Sequence, residues 1–200
     1  MGEVFEEITP RLAEFIAEQP VFFVGTAPSG DGGHVNVSPK GMSGTFKVLG
    51  THRVAYLDWG GSGVEGTAHM RQNGRVCVMF CSFDRKPKIL RLHGRGEPIF
   101  VDDPRFAGLL AEFEGQETHG LRTIVDVEVT RVADSCGYAV PYMEYKGDRD
   151  MLVEVNSRRS AAEIHRRRVE SNTVSIDDLP GIEGHLPATH AESEQGARRP

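Results

Sequence analysis

A succession of strand-like runs fills residues 21–132, and only two helical segments interrupt it. VFFVGTAP (21–28) and HVNVS (34–38) flank the turn-forming SGDGG, so they read as a hairpin. FKVL (46–49), RVAYLDW (53–59), RVCVMFCSF (75–83), ILRLHGRGEPIF (89–100) and TIVDVEVTRV (123–132) follow. The segments between them that read as helical are SGVEGTAHMRQNG (62–74) and PRFAGLLAEF (104–113). This order lacks the regular strand–helix beat of a doubly wound sheet. Short antiparallel strands that curl and close on each other lose their exposed edges, which predicts a barrel. The expected class is mainly β with flanking helices (α+β).

The ends of the chain fit that frame. ITPRLAEFIAEQ (8–19) places Ile8, Leu12, Phe15 and Ile16 at helical spacing, with Thr9 as N-cap and Pro10 in the first turn. SAAEIHRRRVESN (160–172) reads as a basic helix. Large apolar residues nearly vanish after Ile182. One domain over 1–182 with a disordered tail over 183–200 is therefore expected.

Charge and composition narrow the partners. The formal net charge of -6 argues against a general nucleic-acid binder. No apolar run reaches the roughly 18 residues of a membrane span. The acidic start MGEVFEEITPRLAEF does not read as a signal peptide. Three cysteines with no CxxC pair fit a reducing cytoplasm. The eight histidines show no metal-ligand spacing, and neither a GxSxG elbow nor a Walker loop is present.

Four stretches could carry chemistry. In HVNVSPKG (34–41) the polar His34, Asn36 and Ser38 share one strand face, and a solvent face is the plain explanation. The functional one sets Ser38 and Lys40 against an anion, with Pro39 fixing the bend and Gly41 admitting a ligand close to the backbone. In YLDWGGSGVEG (56–66), Ser62 and Glu65 match a capping box, and the glycine-flanked helix start is also a ready phosphate site. Glu65 in the first turn would repel a dianion nearby. In LRLHGRGE (90–97), Arg91, His93 and Arg95 share a face and need either acidic cross-strand neighbours or a bound anion. DSCGYAVPYMEY (134–145) reads as a packed loop or a subunit contact. Cys77 and Cys81 read as core thiols.

The order of these pieces resembles the pyridoxamine 5'-phosphate oxidase-like family of FMN-binding split β-barrels. A helix, a hairpin ending in SPKG, a strand ending in YLD, a glycine-capped helix ending in RQNGR and a strand reading LHGRGE succeed one another. The resemblance spans Phe22 to Val132 and is closest to the branch of oxidase-related FMN-binding proteins, which also carry something like SCGYAVP and a helical tail. It implies a split β-barrel of antiparallel Greek-key type and a homodimer with FMN between protomers. It implies that Ser38, Pro39, Lys40 and Gly41 lie along the flavin. Tyr56, Leu57 and Asp58 would contribute to the flavin site, and Ser62 with Gly63 would hold its phosphate.

Departures from the family pattern bear on the substrate. Val35 stands where the oxidases carry arginine, Val64-Glu65 replaces their Arg-Lys pair, and an apolar residue near Ile89 replaces a glutamine. The C-terminal Trp and Arg motif that grips pyridoxal has no counterpart, because the only tryptophan is Trp59. The expected function is an FMN-dependent oxidoreductase moving a hydride between a nicotinamide or small organic substrate and flavin. The alternatives are a non-enzymatic flavin- or haem-binding module, or a deazaflavin-dependent reductase of the same fold.

Overall fold

The computed structural model describes residues 2–185. Its first helix begins where its capping residues place it. The Thr9 side chain accepts the Leu12 amide, and Pro10 occupies the first turn of α1 (Pro10–Glu18). Leu12 and Ile16 turn their apolar stripe inward.

Eight antiparallel strands form one sheet: β1 (Val4–Phe5), β2 (Phe22–Thr26), β3 (Asn36–Lys40), β4 (Phe46–Gly50), β5 (Arg53–Trp59), β6 (Arg75–Cys81), β7 (Ile89–Phe100) and β8 (Leu121–Ser135). Their order is β3-β2-β6-β7-β8-β5-β4, with β1 added on β8. The sheet curls far enough for its two ends to meet through side chains. Phe22 of β2 touches Phe46 of β4 with ring centroids 4.9 Å apart, and Phe46 meets Phe80 at 5.0 Å. Ile8, Leu12 and Ile16 plug this interior alongside Val24, Val78, Leu92 and Val127.

The barrel is split. No ladder joins β3 to β4, so closure does not remove those two edges as the strand pattern suggested. The reason is the turn between them. Met42 adopts a left-handed φ of 73°, and the Thr45 hydroxyl donates to the carbonyls of Gly41 and Met42. The Thr45 carbonyl then accepts the Leu57 amide, which stitches the chain to β5 as soon as it leaves β3.

A second, smaller core lies on the opposite face of β5, β7 and β8. There Ala55, Leu57, Ile99 and Ile124 pack under α3 (Phe106–Ala111). Helix α2 (Val64–Asn73) covers β2, β3, β6 and β7. Two C-terminal helices complete the chain: α4 (Met151–Ser157), which the sequence pattern did not announce, and α5 (Ala161–Asn172). Ser160 and Glu163 form a reciprocal capping box at the start of α5. Of the tail expected over 183–200, Glu183 to His185 are described, and His185 stacks on Phe100 at 4.1 Å. Residues 186–200 lie outside the described residues.

Candidate functional site

Strand β3 is inverted relative to an ordinary surface strand. Its polar residues Asn36, Ser38 and Lys40 are half-buried, whereas Val35 and Val37 are 73% and 64% exposed. The plain reading of the polar face as a solvent face is therefore overturned: that face turns inward against α2. Asn36 donates to the Thr26 hydroxyl and Ser38 donates to Asn36 Oδ1. Thr26 in turn bonds Nδ1 of His69, which is fully buried with its Nε2 unpartnered. His34 leaves this face and bonds Asp177 instead.

At the end of β3 stands a buried charge cluster. Lys40 Nζ and Arg122 Nη2 each donate to one oxygen of Asp58. Burial alone would raise the Asp58 carboxyl, but the charges of Arg122 and Lys40 outweigh it and hold the pKa below the usual carboxylate value. Arg122 is aimed by a bulge. Asp58 pairs with Thr123 and Trp59 pairs with Leu121, so Arg122 is the extra residue on β8. Its Nη1 also donates to the Gly61 carbonyl and to Asn172 Oδ1. Two cations thus share one carboxylate. Lys40 is the accessible member, with a side chain 19% exposed against 1% for Arg122.

The start of α2 faces this cluster. Gly63 is its N-cap, and no side chain caps it. The capping box expected from Ser62 and Glu65 does not form. The Glu65 carboxylate turns instead to the Ile176 amide, a partner 111 residues away in sequence. That turn takes the carboxylate to a partial positive charge and lessens the repulsion expected of it. A Cβ on Gly63 would lie 2.8 Å from Arg122 Nη2 and 2.9 Å from Lys40 Nζ. Only glycine lets the helix start approach these cations so closely. Among the described residues, the amides of Ser62 and Gly63 have no protein acceptor.

A C-terminal strap crosses the same region. The Asn172 side chain accepts the Gly61 amide and donates to the Gly61 carbonyl. Asp177 holds His34, and the Gly181 carbonyl accepts from Arg71. Arg168 donates to the Leu121 carbonyl. Arg122, Asn172 and Arg168 were not among the residues singled out from sequence. Arg122 sits one place before the alternating run that announced β8, and its role depends on the bulge. The other two depend on contacts across 47 to 111 residues, for which no local signal exists.

The structure gathers Lys40, Asp58, Ser62 and Gly63, and keeps Ser38 on the same inward side of β3. Pro39 is exposed on the outer face, and Gly41 passes close to the Pro20 carbonyl. Tyr56 and Leu57 are each 2% exposed, on opposite faces of β5 and in the two different cores. Their side chains face away from solvent, and Asp58 serves as the counterion of the cluster.

The basic strand LRLHGRGE finds few acids. Arg91 lies between Met79 and Ala133, and His93 between Cys77 and Arg131. Arg95 alone has a carboxylate neighbour, Glu128, with Arg75 on its other side. The 134–145 stretch is tied to its own chain through Asp134 and Ser135 in the β7–β8 ladder and through the Met143 amide, which donates to the Phe83 carbonyl, yet Tyr138 is 82% exposed and Tyr142 78%. Among the described residues, no helix is long and apolar enough to cross a membrane, and no His, Cys, Asp and Glu cluster forms a metal site.

Comparison with known proteins places this architecture. The family profile described as pyridoxamine 5'-phosphate oxidase matches residues 8–136. The pyridoxamine 5'-phosphate oxidase family protein ustO of Aspergillus flavus is 36% identical over 194 residues, spanning 89% of this chain and 77% of that protein. A match that long takes in α4 and α5, which the family profile does not reach. Two crystal structures of HupZ from Group A Streptococcus share the fold at 17% identity. Their TM-scores are 0.52 and 0.51, over 64% and 62% of this chain and 99% and 91% of theirs. The profile and the Aspergillus relative, taken with the split barrel, establish that the chain belongs to the pyridoxamine 5'-phosphate oxidase family.

Proposed function

We propose that this protein binds FMN and acts as an FMN-dependent oxidoreductase on a nicotinamide or other small organic substrate. The observation that carries the reading is the uncapped start of α2. The free amides of Ser62 and Gly63 lie beside Lys40, one of two cations sharing a single carboxylate. Helix N-termini with free amides favour phosphate through both hydrogen bonding and the helix dipole. These residues fit a flavin phosphate: Lys40 keeps two ammonium protons beyond the one given to Asp58, and the missing side chain of Gly63 brings the helix start up against the Lys40 and Arg122 cations. Arg122 acts from behind, fixing Asp58 and adding charge without reaching the ligand.

Bound flavin supplies the hydride-transfer chemistry, and the protein supplies binding and electrostatics. Ser38 and the backbone from Lys40 to Gly41 would line its approach. The exposed Val35, Val37 and Pro39 on the free edge of β3, with the exposed tyrosines of the 134–145 loop, suit a partner protomer closing over the flavin. Three free thiols suit a reducing cytoplasm. The absorbance spectrum of the purified protein, followed by cofactor extraction, tests the reading and separates FMN from a deazaflavin. A protein that neither copurifies with nor takes up flavin would overturn it.

A further inference from the structure

A polar cavity lies beside the Gly60–Gly61 turn. It is an open hollow of about 200 Å³ between α5, that turn and Gly120. Arg159, Arg167 and Arg168 line it, with Asn156 and Asn172, and no Asp or Glu does. Among the described residues, no carboxylate lies within salt-bridge reach of these three arginines. Their neighbours Arg158 and Arg166 are each matched to a glutamate on their own helix. Glu163 feels the charge of Arg159, but its carboxylate is engaged by the Ser160 amide and hydroxyl.

The donors here outnumber their acceptors. Arg168 spends Nη2 on the Leu121 carbonyl, while its Nε is buried without a partner. The Nε of Arg122, one layer deeper, is buried and unpartnered too, in a side chain only 1% exposed. Burial and the charge of Arg122 both lower the Arg168 pKa, so the two guanidinium groups repel each other. The Asn172 carbonyl oxygen is already taken by Gly61 and Arg122. Cations gathered around a hollow, with orphaned N–H groups, await a compensating anion. The space is several times the ~30 Å³ share of a water. It is smaller than the roughly 300–1,000 Å³ pockets that hold drug-sized ligands.

We infer that this cavity is a binding site for a phosphate-sized oxyanion, clamped by the arginines of α5 against the Gly60–Gly61 turn. The ligand is either a free anion or the phosphate group of a larger molecule. The site uses α5, outside the 8–136 span of the family profile, and it does not depend on the flavin reading.

The test is calorimetric titration of the full chain with inorganic phosphate, in buffer free of phosphate and sulfate. One phosphate per chain is expected at this cavity, and it should persist in Lys40→Ala, which removes the cation of the site at the start of α2. Loss of a charge-assisted hydrogen bond in Arg168→Gln should weaken it about tenfold. Arg167→Gln, at an exposed position, should weaken it less and keep the fold intact. Arg166→Gln, paired to Glu170 outside the cavity, should leave it unchanged. In Lys40→Ala, competition by FMN but not by riboflavin assigns the site to the phosphate of a larger ligand, and competition by neither assigns it to a free anion. No phosphate binding by the parent, unchanged binding in both Arg168→Gln and Arg167→Gln, or an equal loss in Arg166→Gln overturns the inference.

Discussion

Replacing Asp58 by asparagine removes the one carboxylate that, among the described residues, bridges Lys40 and Arg122, while preserving its shape. The side chain is 3% exposed and both of its oxygens are occupied, so water cannot readily replace the lost charge. Arg122 would be left buried with its Nε already unpartnered. Breaking a buried ion pair by removing one partner costs about 3–5 kcal/mol. In a chain of this length each kcal/mol lowers Tm by about 2–4 °C, which gives a fall of about 6–20 °C. Urea and thermal unfolding of Asp58→Asn against the parent would measure it. The double variant Lys40→Met, Asp58→Asn should recover part of the loss, because one of the two unmatched cations is gone. A loss under about 1 kcal/mol in the single variant would refute the claim that the cluster is dry and that Asp58 is its counterion. The pH dependence has a definite sign. The folded pKa of Asp58 is lowered, so the pair's stabilisation is present above the unfolded value near pH 4 and is lost as pH falls through the folded value.

Further outcomes follow from single contacts. Ser62→Ala should leave stability within about 0.5 kcal/mol of the parent in chemical denaturation, since Ser62 caps nothing. Gly94→Ala should destabilise by about 3 kcal/mol or more, because its Cβ would strike the Glu128 carbonyl across the ladder. Asp177→Asn should speed amide exchange over residues 173–182, where Asp177 ties the strap to His34. Val37→Glu should convert a dimer to monomer in sedimentation while the fold persists, and a parent already monomeric at micromolar concentration would remove the proposed interface.

Much of the fold was legible because its signals are local. The bounds of β5 and β7 coincide with the alternating runs 53–59 and 89–100. Thr9-Pro10 announced α1 through capping chemistry that involves only its own first turn. The glycines of HGRGE mark close approaches of β7 to β8 and to Met70, which period-two alternation cannot reveal. Strand β3 misleads because alternation identifies two faces without saying which is buried, and here the polar face is. The Ser62–Glu65 pattern fails for a different reason. A four-residue cap is worth about 1 kcal/mol, and Glu65 finds a competing amide on the strap. Lys40 and Gly63 were visible as a strand end and a helix start. Arg122, which completes the cluster, depends on a one-residue bulge whose position is set by tertiary pairing.

The central claim is that the phosphate of FMN rests on Lys40 and the free amides of Ser62 and Gly63. It is tested most directly by titrating the apoprotein with FMN and with riboflavin, in the parent and in Lys40→Ala. A charge-assisted hydrogen bond contributes about 1.5–3 kcal/mol, or roughly a ten- to hundredfold change in affinity. The parent should therefore bind FMN at least tenfold more tightly than riboflavin, and Lys40→Ala should lose most of that difference while keeping its riboflavin affinity and its fold. Equal binding of the two flavins by the parent, or an FMN affinity untouched in Lys40→Ala, would contradict it.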